Sequence, residues 1–152
     1  MSNTPDAAVA MFGEGYNCAQ AVVASAGPAC GLPRATAIKV AQAFGGGLGR
    51  TGNVCGAITG ALMVIGLQCS AKDGQDTAAK EQAHALAQEF LRRFTARHGA
   101  LNCRDLLGCD LSTPEGRQQA AATGRHKTIC AGLVKDATQI LEDVLAGRPT
   151  NA

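Results

Sequence analysis

The chain has 152 residues, seven of them cysteine, and carries 14 Lys and Arg against 12 Asp and Glu, for a net charge of +2. About 150 residues suits a single domain that buries roughly 70% of the surface its unfolded chain exposes. With no Trp, one Tyr and four Phe, it offers neither the basic field nor the stacking platforms of a nucleic-acid binder, and that class is set aside.

Hydrophobic patterning predicts helices throughout. In chain order they run over 4–12, 17–26, 33–44, 53–68, 76–98 and 102–107. A C-terminal helix follows, with the stripe Cys130, Val134, Ala137, Leu141 and Leu145, closed by Gly147 and Pro149. The first ten residues lack the basic flank and continuous apolar stretch of a secretory signal, so the expected compartment is the reducing cytoplasm. The helix over 76–98 places Ala79, Ala83, Leu86, Phe90 and Phe94 on one face, with Gly99 as its stop. No stretch alternates β-branched with polar residues, and there is no repeat or low-complexity linker. The expected architecture is therefore all-α, a single compact multi-helix domain over 1–152.

Two motifs look like something else. Gly45-Gly46-Gly47-Leu48-Gly49-Arg50-Thr51-Gly52 contains a formal Gly-x-Gly-x-x-Gly, but a helix is predicted before it where the dinucleotide fingerprint needs a strand. It also lacks the Gly-Lys-Ser/Thr ending of a phosphate loop. It reads as an inter-helix loop whose bare amides, with Arg50, stabilise nearby negative charge. The run 54–67 is almost wholly apolar and spaced by Gly52, Gly56 and Gly60. It falls short of the roughly 20 residues that cross a bilayer. It predicts a central, buried, glycine-rich helix that its neighbours approach closely, and the same small residues suggest a homodimer.

Seven cysteines cannot all pair internally, and a domain of this length needs no disulfides to supplement its core, so most of the thiols are expected free or metal-bound. On a helix over 53–69, Cys55 and Cys69 would stand about 21 Å apart. Cys18 and Cys30 would be about 18 Å apart unless Gly27-Pro28 folds the chain back, and Cys103 and Cys109 face different sides of any shared helix. One site should therefore take at most one cysteine from each pair, plus Cys130. Asn17, Asn53, Asn102 and Thr128 are candidate N-caps before Cys18, Cys55, Cys103 and Cys130. That would put these four in first helical turns, where free amides and the helix dipole favour thiolate. The plain alternative for any one of them is an ordinary buried cysteine. His126, Lys127, Arg104 and Arg50 lie near these termini and either tune charge or are solvated surface. His84 and His98 are too far apart on one helix to share an ion.

At these residues the chain resembles the family of redox-active proteins named for its C-GCAxxG-C-C cysteine pattern. The resemblance covers nearly the whole chain: Gly15-Tyr16-Asn17-Cys18-Ala19-Gln20-Ala21, then 44–49 followed by Cys55-Gly56-Ala57-Ile58-Thr59-Gly60-Ala61, Cys103-Arg104-Asp105-Leu106-Leu107-Gly108, and Cys130-Ala131-Gly132-Leu133-Val134. The family's four defining cysteines map onto Cys18, Cys55, Cys103 and Cys130. The central motif here reads Cys-Gly-Ala, with the first two letters of the name exchanged. A related helical segment occurs in split-Soret cytochromes, which implies association with iron and electron transfer. The chain has no Cys-x-x-Cys-His, so covalent haem c is not expected.

The resemblance implies a redox role and names no reaction. The first expectation is a metal-binding electron-transfer protein in which Cys18, Cys55, Cys103 and Cys130 hold an iron–sulfur cluster, a [2Fe–2S] centre being the nuclearity favoured. The second is metal-free dithiol chemistry with Cys55 as nucleophile and Cys18, Cys103 or Cys130 resolving, acting on a sulfur or peroxide substrate. The third is a structural four-cysteine zinc module serving as an adaptor. The redox partner is not named by the residues. Family members are often encoded beside transporters, which makes a membrane transporter one candidate partner.

Overall fold

The computed structural model describes residues 4–149, so the outermost three residues at each end of the expected domain lie outside them. Its elements are α1 (Thr4–Gly13), α2 (Cys18–Ala26), α3 (Arg34–Val40), the short turn α4 (Gly45–Leu48), α5 (Gly56–Gln68), α6 (Thr77–His98), α7 (Cys103–Leu107), α8 (Pro114–Ala122) and α9 (Arg125–Leu145). Two 3-10 turns, Gly27–Cys30 and Gln42–Phe44, complete them. The described residues hold no strand, only an isolated bridge between Val54 and Asn102. The all-α class is as expected.

The central pair is α2 against α5, and glycine makes it possible. A Cβ at Gly56 would sit 3.0 Å from the Ala19 amide nitrogen and 3.1 Å from the Phe44 carbonyl, and one at Gly60 would sit 3.0 Å from the Ala19 carbonyl. Each glycine costs a helix interior about 1 kcal/mol relative to alanine. The close backbone approach and the burial of Val22, Val23, Ile58 and Ile65 offset that cost. The part of α5 that carries Gly56 and Gly60 is thus covered by α2 of the same chain. No helix of the described residues is long and apolar enough to cross a membrane.

Helix α9 packs along α1, α5, α6 and α2, burying Leu133, Val134, Ala137, Leu141 and Val144. Helix α6 buries only Phe90 and Phe94, while Ala79, Ala83 and Leu86 on the same face stay half-exposed. Its Asp76 cap accepts a hydrogen bond from the Ala79 amide at 3.3 Å. Asn17 caps α2 reciprocally: its side chain accepts from the Gln20 amide at 2.8 Å, and the Gln20 side chain accepts from the Asn17 amide at 3.0 Å. The Asn17 side-chain amide also donates to the Gln42 carbonyl at 2.9 Å, and that of Gln20 to the Ile38 carbonyl at 2.9 Å. The start of α2 is thereby tied to the chain that leads into the glycine loop.

Three boundaries differ from the sequence reading. The helix predicted over 33–44 stops at Val40 and continues as a 3-10 turn. The central helix begins at Gly56 rather than near residue 53, because the chain bends at Gly52, at φ 74, and Val54 then bridges to Asn102. Helix α8 went unread: it is polar, and its start is set by Thr113, whose hydroxyl accepts from the Gly116 amide at 3.0 Å, with Pro114 in the first turn.

Candidate functional site

Two connections far apart in sequence are stitched together. The Cys55 amide donates to the Leu101 carbonyl at 2.9 Å, the Cys103 amide to the Asn53 carbonyl at 2.6 Å, and the Arg104 amide to the Gly52 carbonyl at 3.2 Å. These bonds set the starts of α5 and α7 side by side, and with them Cys55 and Cys103. The glycine loop closes the same corner: the amides of Arg50, Gly52 and Asn53 donate to the carbonyls of Gly45, Gly46 and Gly47 at 3.0, 3.1 and 3.0 Å. Gly47 has φ +71, and a Cβ there would lie 2.5 Å from the Asn53 carbonyl and 2.7 Å from Cys103 Cβ. Only glycine lets the loop backbone lie against that cysteine.

Cys18 enters from the first residue of α2 and Cys130 from the second turn of α9. All four cysteines line one small cavity of about 20 Å³, shared with Gly46, Gly47, Gly56, Leu107, Leu111, Leu133 and His126. That volume is close to the space of one water molecule. Cys18, Cys55, Cys103 and Cys130 are 8, 4, 7 and 4% exposed, so the thiols are screened from bulk water.

The four are not equivalent. The Cys18 thiol is in hydrogen-bond contact with the sulfurs of both Cys130 and Cys55, and these contacts, with burial, push it well above the ordinary thiol value. Cys130 is brought down to about 6, first by the hydrogen bond from Cys18 and then, against the cost of burial, by His126, whose Nδ1 lies 3.7 Å from its Sγ. His126 is raised in turn, chiefly by that contact. Cys55 is lowered by its hydrogen bond from Cys18 and, against burial, by the amides of Ala57 and Ile58 at the start of α5. Cys103 is pushed up to about 12, mainly by burial and then by the charges of Cys55 and Cys130.

The reasoning from caps therefore holds only in part. Asn17 caps α2 as expected, yet Cys18 behind it is held as a thiol by its interactions with the Cys130 and Cys55 sulfurs and by burial. Asn53 is not a cap: Cys55 itself occupies the N-cap position of α5. Asn102 holds the N-cap position of α7 without a side-chain capping bond. Thr128 lies inside α9, which starts one turn earlier after Gly124, so Cys130 owes its low value to its neighbours and not to a first turn. The amides that favour thiolate at Cys55 come from α5, while Gly46 and Gly47 of the glycine loop serve as wall.

Of the four basic residues near these termini, His126 reaches a cysteine. Arg104 Nε donates to the Gly52 carbonyl at 3.2 Å, and Arg50 is near enough for its charge to oppose protonation of His126. The remaining cysteines stand apart. Cys30 donates to the Gln68 side chain at 3.3 Å, Cys69 ends α5, and Cys109 lies 3.9 Å from the Arg125 guanidinium. The apolar wall of Leu107, Leu111 and Leu133 carried no sequence signal distinguishing it from ordinary core.

Four sulfurs from four helix starts or turns meet here, with an imidazole beside them. Among the described residues no three His, Cys, Asp or Glu side chains are grouped closely enough to hold a metal ion.

A family model described as "Putative redox-active protein (C_GCAxxG_C_C)" matches residues 16–144. No curated protein matches the chain, and no solved structure does.

Proposed function

From the premise that this chain belongs to the C_GCAxxG_C_C family of redox-active proteins, we propose that Cys18, Cys55, Cys103 and Cys130 are the ligands of an iron–sulfur cluster, a [2Fe–2S] centre, for electron transfer. The observation that carries this reading is the convergence of four sulfurs, and no other cysteine, on one apolar cavity. Dithiol chemistry needs two of them, whereas four are the full complement of a cluster. When bound, the cluster supplies one-electron transfer at a potential set by its surroundings. The chain contributes hydrogen bonds to Cys55 from the Ala57 and Ile58 amides and to Cys130 from His126. Such bonds stabilise negative charge on the sulfurs, and Leu107, Leu111 and Leu133 keep water away.

A second reading has its own support in the Cys130, Cys18 and His126 contact. Cys130, held as thiolate near neutral pH, is the better nucleophile than the Cys55 favoured by sequence, and Cys18 touches it as the resolving thiol. Two thiols would give one disulfide, their two protons and two electrons reducing a peroxide to alcohol and water.

Protein purified without oxygen separates the two. Brown protein containing iron and acid-labile sulfide, both lost in Cys55→Ser and in Cys103→Ser, is expected. Colourless protein with seven titratable thiols, whose peroxide reduction survives Cys103→Ser but not Cys130→Ser, would overturn the cluster in favour of the dithiol.

A further inference from the structure

His126 and Leu111 belong to two cavities. Besides the cysteine cavity, they line an open cleft of about 710 Å³ whose other walls include Arg50, Arg117, Thr123 and Lys127. That volume lies in the range of small-molecule sites. Its cationic side chains come from three separate elements: Arg50 from the glycine loop, Arg117 from α8, His126 and Lys127 from α9. No Asp or Glu lines it.

None of the ion pairs among the described residues involves Arg50, Arg117 or Lys127, a state they share with Arg34, Lys39, Lys72, Lys80, Arg104 and Arg125; what distinguishes these three is that they share one cleft with no carboxylate in its lining. Arg117 is fixed by its guanidinium donating to the Leu111 carbonyl at 2.8 Å, and Arg50 is held in the left-handed region at φ 64, a conformation that non-glycine residues seldom adopt. The first turn of α9 adds to the imbalance: Arg125, His126 and Lys127 stand at the positive end of a 21-residue helix with no side-chain cap, where the dipole disfavours cations. Cations drawn together with no counter-charge are relieved by an anion in the cleft.

We propose that this cleft is a binding site for a small divalent oxyanion, seated on Arg50, Arg117 and Lys127 against the His126 wall that it shares with the cysteine cavity. The anion site stands on the cleft itself. That its ligand takes part in the chemistry of the cysteines rests on the redox reading of that centre.

The test is a calorimetric titration of the full chain with sodium sulfate at constant ionic strength, with chloride as the balancing anion, on metal-free and on iron-loaded protein. Saturable sulfate binding is expected in both. It should weaken about tenfold in Lys127→Gln and further in the Arg50→Gln, Lys127→Gln double variant, as loss of charge-assisted hydrogen bonds requires. Lys135→Gln, whose charge faces Asp6 elsewhere on the surface, should bind as the parent does. Absence of saturable binding, equal affinity in Lys127→Gln and the parent, or equal weakening by Lys135→Gln would each overturn the site. A cluster that fails to assemble leaves the sulfate result standing, and a failed sulfate titration leaves the iron analysis standing.

Discussion

Cys69 and Cys109 are 8 and 4% exposed, as deeply buried as Cys18 and Cys130 at 8 and 4%, yet the two groups differ in everything that bears on chemistry. Cys69 closes a helix and Cys109 rests against Arg125, and neither lines the cavity that gathers the other four sulfurs. Cys18 touches two sulfurs, and its contacts divide the centre into raised and lowered thiols. Burial alone makes a cysteine an inert small hydrophobe. Convergence of segments far apart in the chain is what gives these sulfurs neighbours that shift them up or down.

The largest effect should come from the sulfur at the middle of the network. Cys18→Ala removes the main cause of the low value at Cys130 and one ligand of the proposed cluster. Iron and sulfide per chain should fall to background, and the pH midpoint for alkylation of metal-free Cys130 should move up from about 6 towards the ordinary thiol value of 9.0. Cys69→Ala should leave both measurements unchanged. If Cys69→Ala abolishes iron uptake as completely as Cys18→Ala, the division of the cysteines into two groups is broken.

Glycines sharpen the same contrast. Gly47→Ala would force a Cβ against the Asn53 carbonyl and Cys103 at positive φ. Urea unfolding should show a loss of about 2–4 kcal/mol from overpacking and backbone strain together. Gly132, on α9 next to the cysteine segment in sequence, has no atom within 4 Å of an added Cβ. Gly132→Ala should gain about 0.5–1 kcal/mol from helix propensity. Equal and opposite results would mean that the loop does not lie against Cys103.

The helices were legible because their signals are local: the Asn17-to-Gln20 capping box, the Asp76 and Gly99 bounds of α6, the stripe of α9. Helix α8 was not, since a polar nine-residue helix has almost no apolar periodicity to read. Spacing along helices limited one site to a single cysteine of each pair plus Cys130, cap context and the family pattern pointed to Cys18, Cys55, Cys103 and Cys130, and those four line one cavity. Their individual states were not legible. Cap position predicted four thiolates, but a thiol in such a network answers to the sulfur beside it, and that neighbour is set by tertiary contacts between segments up to 112 positions apart, from Cys18 to Cys130. The basic cleft was hidden for the same reason: Arg50, Arg117 and Lys127 are solvated surface residues until α8 and the glycine loop bring them to one wall.

The finest test concerns His126, the residue that belongs to both cavities. Cys130 is a lowered thiol, so its contribution to stability is present above the ordinary value of 9.0 and is lost as pH falls through about 6. His126 is raised, so its contribution is present below the ordinary 6.5 and is lost as pH rises through its higher folded value. Thiolate and imidazolium coexist only between those limits, and their mutual stabilisation is confined to that window. His126→Gln should remove it. In metal-free protein the alkylation midpoint of Cys130, followed by mass spectrometry of its peptide, should rise, but by less than in Cys18→Ala, because the Cys18 hydrogen bond is the larger cause. An unmoved midpoint would mean that the 3.7 Å contact carries no charge coupling. In that case Cys18 alone would set Cys130 apart from the solitary cysteines.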